Sequence, residues 1–129
     1  MGTFSVSIEV GDQSGGRFEA VDALVDTGAT YTVLPSSILQ RLGVVPHRRT
    51  TFELADGRRM ELEMGRTWVR LDGQQEQTLV VFGNDVADAI LGAVTLEEFL
   101  LSVDPVHQRL QRVDALLMST GTTEVSALQ

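Results

Sequence analysis

An apolar, β-branched run that ends on a carboxylate is the strongest constraint in this chain. Ala23-Leu24-Val25 leads into Asp26, and Thr27, Gly28, Ala29 and Thr30 follow at once. Such a run reads as a buried strand. An ionised carboxylate at the end of a buried strand is costly unless it is paired or hydrogen-bonded, so the fold must give Asp26 partners. Thr27 offers a hydroxyl that can anchor a turn. Gly28 lets the backbone turn tightly and approach another chain or a ligand. Read by itself, the triplet also fits a turn-capping Asp after a strand.

The rest of the chain reads as short strands joined by turn residues. Phe4, Val6, Ile8 and Val10 alternate on one face of a strand over Thr3 to Val10. The segment Gly11 to Gly16 is a turn by composition, and Arg17 to Val25 is the returning strand. Tyr31 to Leu34 should leave the Asp26 turn as a further strand. Pro35 to Leu42 predicts a short helix, with Pro at its start, Gly43 after its end, and Ile38, Leu39 and Leu42 facing the core. Arg48 to Ala55 and Arg58 to Leu71 form a long hairpin joined at Asp56-Gly57, a strong hairpin-turn dipeptide. Asp72-Gly73 marks the next turn, Gln75 to Phe82 the next strand, and Asn84 to Ala89 a loop. A final hairpin over Leu101 to Val103 and Arg109 to Val113 turns at Asp104-Pro105. This pattern of strands with two short helices suggests a closed β architecture.

At 129 residues the chain can build one core but not two lobes. We expect one domain over residues 1–118 and a loose tail over 119–129, where the sequence is small, polar and unpatterned. The net charge of −8 argues against nucleic acid and anionic membrane surfaces as partners. With no cysteine, there is no disulfide framework and no thiolate metal site. Apolar runs are too short to span a membrane, and no basic region followed by an apolar core opens the chain, so the expectation is a cytoplasmic protein. Met1-Gly2 does not begin a myristoylation signal, because Val6 stands where that motif takes Ser or Thr.

Taken in order, these segments resemble a single-lobe, retroviral-type aspartic protease, that is, a retropepsin-like domain. The resemblance runs from Thr3 to Leu116. It rests on Asp26-Thr27-Gly28 with its apolar approach, on a flap-like hairpin from Phe52 to Leu62, on the apolar-apolar-Gly element Ile90-Leu91-Gly92, and on a short C-terminal helix over Thr95 to Leu101. It implies an all-β fold, a closed barrel with a flap hairpin and one or two short helices. It also implies an aspartic endopeptidase acting on peptide or protein substrates, with no metal and no organic cofactor. Asp26 takes the catalytic role, and Thr27, Gly28 and Ala29 support its loop. Ala55, Asp56, Gly57 and Arg58 at the flap, and Ile90 under the loop, are the implied substrate-binding positions. In that family two carboxylates share one proton, since two like charges about 3 Å apart cannot both ionise. Asp-Thr-Gly occurs once here, so the resemblance implies a homodimer.

Thr30 and Ala93 stand where many retroviral enzymes carry an acidic residue and its arginine partner. Both charges are missing together, which points to a cellular or microbial member of the family. Ala29 stands where relatives often place a hydroxyl, and the resemblance then implies a mildly acidic optimum. A retropepsin-fold module that binds peptides or dimerises without cleaving is the alternative function. His47 and His107 lack metal-ligand spacing and read as solvated. Arg48, Arg49, Arg58 and Arg59 read as solvated edges, and Trp68 as core or interface.

Overall fold

Period-two burial organises the first hairpin of the computed structural model, which describes residues 3–117. The expected tail over 119–129 lies outside the described residues. In β1 (Ser5–Gly11) Ile8 and Val10 are buried while Ser7 and Glu9 are exposed. In β2 (Phe18–Val25) Val21, Ala23 and Val25 point inward. The two strands pair antiparallel from Ser5↔Leu24 to Gly11↔Phe18. Their turn is held by the Asp12 carboxylate, which accepts from Gly16 N–H at 2.8 Å and from Ser14 Oγ at 3.0 Å.

The remaining sheet elements are β3 (Thr32–Pro35), β4 (Arg48–Glu53), β5 (Arg59–Leu71), β6 (Gln74–Gly83) and β7 (Ala89–Leu91). Six strands close in the order β1-β2-β7-β3-β6-β5, with β5 returning to β1 at Glu9↔Arg70 and Val10↔Val69. β4 extends the sheet beyond β5 as the other half of the long hairpin. The expected closed, mostly β architecture is the one observed. Ala89, expected in a loop, instead opens β7 because it pairs with Ala23.

Helix α1 (Ser36–Arg41) is shorter than the expected 35–42 span. Pro35 still pairs with Gly83, and its ψ of 131° is extended, so the helix starts one residue later. Helix α2 (Ala93–Glu98) sits earlier than the expected 95–101 span. Leu100 reverses the chain at φ 55°, and Leu101 begins a new strand. A leucine in the left-handed region leaves no sequence signal, because glycine is its usual occupant. The last two strands, β8 (Leu101–Asp104) and β9 (Arg109–Arg112), form a separate two-stranded sheet.

The core has two parts divided by β6. From Thr78 to Gly83 every residue of this strand is buried. Val80 and Phe82 join the barrel core with Val10, Leu34, Leu39, Leu91 and Phe99. Leu79 and Val81 point the other way and join Met64, with Tyr31, Val33, Phe52 and Leu62 packed around them. A strand covered on both faces reads as a continuous apolar run, which is how Leu79 to Phe82 appears in the sequence. Trp68 is half-buried and lies over Gly15, the turn glycine at φ 76°. Phe99, fully buried where α2 ends, is among the largest enclosed side chains. Phe99→Ala should therefore lower stability by about 3–5 kcal/mol, read as a shifted urea midpoint at fixed protein concentration.

Candidate active site

β2 delivers Asp26 immediately past its last residue, and the loop that follows is held at both ends by one short segment. On the entry side Asp26 N–H donates to Leu91 O at 3.1 Å. On the exit side Ala93 N–H donates to Ala29 O at 2.8 Å and Val94 N–H to Thr30 O at 2.9 Å. Inside the loop Asp26 Oδ1 accepts from Gly28 N–H at 2.9 Å, and Ala29 N–H donates to Asp26 O at 3.1 Å. The carboxylate thus has an amide partner of its own and is half-buried, while Thr27 and Gly28 are exposed. Gly28 is outside the left-handed region, and a Cβ there would meet only Asp26 Oδ1, at 3.2 Å. Its small size serves the space around Asp26 more than the turn itself.

Ile90 lies in the middle of β7, parallel to Leu24 of β2 and antiparallel to Val33 of β3. It joins the strands that enter and leave the Asp26 loop. Gly92 follows, and a Cβ on it would stand 2.5 Å from the backbone carbonyl of Tyr31. Only glycine allows this approach, because backbone atoms cannot swing aside. Sequence reasoning missed the polar counterpart of this contact. Thr32, Thr78 and Thr95 are wholly buried and joined by their hydroxyls. The available signal was three threonines set among inward-facing apolar residues.

Ala55, Asp56, Gly57 and Arg58 form the exposed tip between β4 and β5. Gly57 takes φ 87° and donates its N–H to Leu54 O at 2.9 Å. The Asp56 carboxylate accepts from Arg58 N–H at 3.0 Å and from Arg58 Nε at 2.6 Å, which holds it below the usual carboxylate range. No hydrogen bond or ion pair among the described residues joins this tip to Asp26. Just below the tip, Phe52, paired with Met60, packs edge-on against Tyr31 with ring centroids 6.2 Å apart.

A depression of about 400 Å³ opens beside Asp26, lined by Phe4, Val25, Thr27, Val103, Pro105 and Gln108. The last three come from the β8–β9 hairpin, whose place beside Asp26 the sequence did not show. The hairpin turn is built on Asp104, whose carboxylate accepts from His107 Nδ1 at 2.8 Å and from the N–H groups of Val106 and His107. The His107 ring contact, followed by these amides, holds the Asp104 carboxyl below its ordinary range. Val106, Leu116 and Leu117 stand more than four-fifths exposed on or after this hairpin. His47 is exposed, as are Arg48, Arg49, Arg58 and Arg59.

Among the described residues no cluster of three His, Cys, Asp or Glu side chains could hold a metal ion, and no helix is long and apolar enough to cross a membrane. The sequence model described as gag-polyprotein putative aspartyl protease matches residues 15–98. The fold is similar to that of the EIAV protease in complex with the inhibitor HBY-793, at 21% identity and a TM-score of 0.55, over 76% of this chain and 88% of that one. It is also similar to the solution structure of the simian foamy virus (mac) protease, at 14% identity and a TM-score of 0.53, over 74% of this chain and 94% of that one. Comparison with curated proteins finds no match.

The two glycines of the site should respond differently to a methyl group. Gly92→Ala forces backbone apart and should cost about 1–3 kcal/mol. Gly28→Ala meets one side-chain oxygen and should cost under about 1 kcal/mol. Chemical denaturation of both variants checks the contrast.

Proposed function

The chain belongs to the gag-polyprotein putative aspartyl protease family, and on that basis we propose that it is an aspartic endopeptidase whose site forms when two copies bring their Asp26 loops together. The observation that carries this reading is the setting of Asp26. One carboxylate, anchored through its own backbone and half-exposed, sits beside an open depression with Thr27 and Gly28 uncovered next to it. A single carboxylate cannot serve as base and acid at once. A second Asp26 supplies the missing group, and the shared contact is isologous.

The chemistry then runs in two steps. One carboxylate takes a proton from water, the oxygen attacks the scissile carbonyl carbon, and the other carboxylic acid gives its proton to the carbonyl oxygen. The tetrahedral intermediate collapses with cleavage of the C–N bond, and a proton passes to the leaving amine. The substrate lies extended between the loops and the flap. Main-chain groups at Ala55 to Arg58 bind it as an added strand, and Ile90 lies under the loop as part of the same binding surface. Closure of the flap over the peptide excludes water. The C-terminal segment Arg109 to Val113, with the exposed Leu116 and Leu117 and the neighbouring Val106, adds to the same contact between copies.

Asp26→Asn keeps the shape of the loop and removes the ionisable group from both halves of the pair. Cleavage of a mixed peptide library should disappear while the fold survives, and sedimentation at micromolar concentration should show a dimer for both proteins. Cleavage retained by Asp26→Asn in a preparation free of contaminating protease would refute the role of Asp26. A chain that stays monomeric even with a peptidomimetic inhibitor bound would refute the shared site. An intact dimer that cleaves nothing would instead favour the binding module.

The shared proton also gives kcat/KM a bell-shaped dependence on pH. In acid both carboxyls are protonated and no base remains; in alkali both are ionised and no acid remains. The wild-type optimum should be mildly acidic. Ala29→Ser adds a donor that stabilises the fully ionised pair, so the alkaline limb should move to lower pH. A wild-type rate that keeps rising into alkaline solution contradicts the mechanism.

A further inference from the structure

Four side chains that the proposed chemistry does not use form a continuous path beneath the Asp26 loop. Gly92 N–H donates to Thr32 Oγ1 at 3.1 Å, and Thr32 Oγ1 donates to Thr95 Oγ1 at 2.6 Å. Thr95 and Thr78 hydroxyls lie 2.9 Å apart, and Thr78 Oγ1 donates to Glu98 Oε1 at 2.6 Å. The ends fix the direction of the whole chain. An amide at one end can only donate, and an ionised carboxylate at the other can only accept. Thr78 spends its single proton on Glu98, so Thr95 must donate to Thr78, and Thr32 to Thr95. Every hydroxyl is used once as donor and once as acceptor, and none is left unsatisfied.

The path ties a short helix to two strands of the barrel. Helix α2 has six residues, too few to be stable by itself. Yet its start carries Ala93 and Val94, whose amides hold Ala29 and Thr30, and it follows Leu91, whose carbonyl holds Asp26. Thr32 belongs to the strand that leaves the loop, Thr95 and Glu98 to α2, and Thr78 to β6. We propose that this directed hydroxyl chain holds residues 91–94 in register under the catalytic loop, with Thr95 as a positioning residue and Glu98 as its surface anchor. Its kinetic consequence rests on the peptidase reading; its effect on the loop does not. Hydroxyls that reinforce one another along a chain lose more than one bond when a link is removed. Replacing Thr95 by valine keeps the volume but leaves the Thr32 proton without an acceptor in a buried place.

The test compares the wild-type chain with Thr95→Val, Thr95→Ser and Glu98→Leu by backbone amide hydrogen exchange and by kcat and KM on one peptide. In Thr95→Val the amides of Asp26, Gly92, Ala93 and Val94 should exchange about tenfold faster, while amides of the β5–β6 ladder keep wild-type protection. Thr95→Ser, which keeps the hydroxyl, should restore protection. Glu98→Leu removes only the terminal acceptor at an exposed residue and should show the same local pattern, so it decides the matter if Thr95→Val does not fold. Kinetically, kcat should fall about tenfold with KM within about twofold, and Thr95→Ser should recover it. Unchanged exchange at the loop, an equal loss across β5 and β6, or a serine variant that fails like valine would each overturn the proposal. If the wild-type chain turns over no peptide, the peptidase reading fails, and the exchange pattern alone decides whether the hydroxyl chain positions the loop.

Discussion

The contact on which the rest of the structure depends is the insertion of β7, only three residues long, between the two strands that flank Asp26. Ile90 reaches both neighbours, and Gly92 brings its backbone within van der Waals range of the Tyr31 carbonyl. That approach puts Leu91 O under Asp26 and the amides of Ala93 and Val94 under Ala29 and Thr30. The loop is thereby held on both arms by backbone hydrogen bonds. It follows that the loop holds its shape without the charge pair that many retroviral enzymes place at these positions, here Thr30 and Ala93. A buried ion pair carries a desolvation cost that can exceed its attraction, and a backbone clamp with neutral hydroxyls avoids it.

What a single chain leaves unfinished is as informative as what it fixes. Its Asp26 loop is well ordered by hydrogen bonds, yet Thr27 and Gly28 are uncovered and the carboxylate faces an open depression. The hairpin that walls this depression is a two-stranded sheet with apolar side chains in solvent, an arrangement that is marginal without cover. The proposed dimer accounts for these features together: it covers the loop, adds the second carboxylate and gives the hairpin a neighbour. In the β4–β5 hairpin the tip residues Ala55 to Arg58 are exposed, and Phe52 just before them packs against Tyr31.

Most of the barrel was legible because each strand carries its own local pattern. Alternation marked β1, a continuous apolar run marked β6, and Asp56-Gly57 marked the hairpin tip, where Gly57 does take a positive φ. The order of motifs around Asp26 was enough to suggest the family that the sequence model supports. The boundaries of α1 and α2 were not legible, since one depends on Pro35 keeping its pairing with Gly83 and the other on Leu100 adopting a left-handed turn. Nor was the meeting of Thr32, Thr78 and Thr95. Each is unremarked in its own segment, and they become a unit only when three elements distant in sequence pack together. The wall formed by Val103, Pro105 and Gln108 was hidden for the same reason.

The central claim is that each working site contains Asp26 from two chains. Its most direct measurement mixes wild-type protein with Asp26→Asn, allows subunits to exchange, and follows peptidase activity per wild-type chain. A shared site predicts that activity per wild-type chain falls to about one half at equal amounts and keeps falling with excess variant, because mixed dimers lack one carboxylate. Activity per wild-type chain that stays constant across the mixing series, with subunit exchange verified, would contradict it.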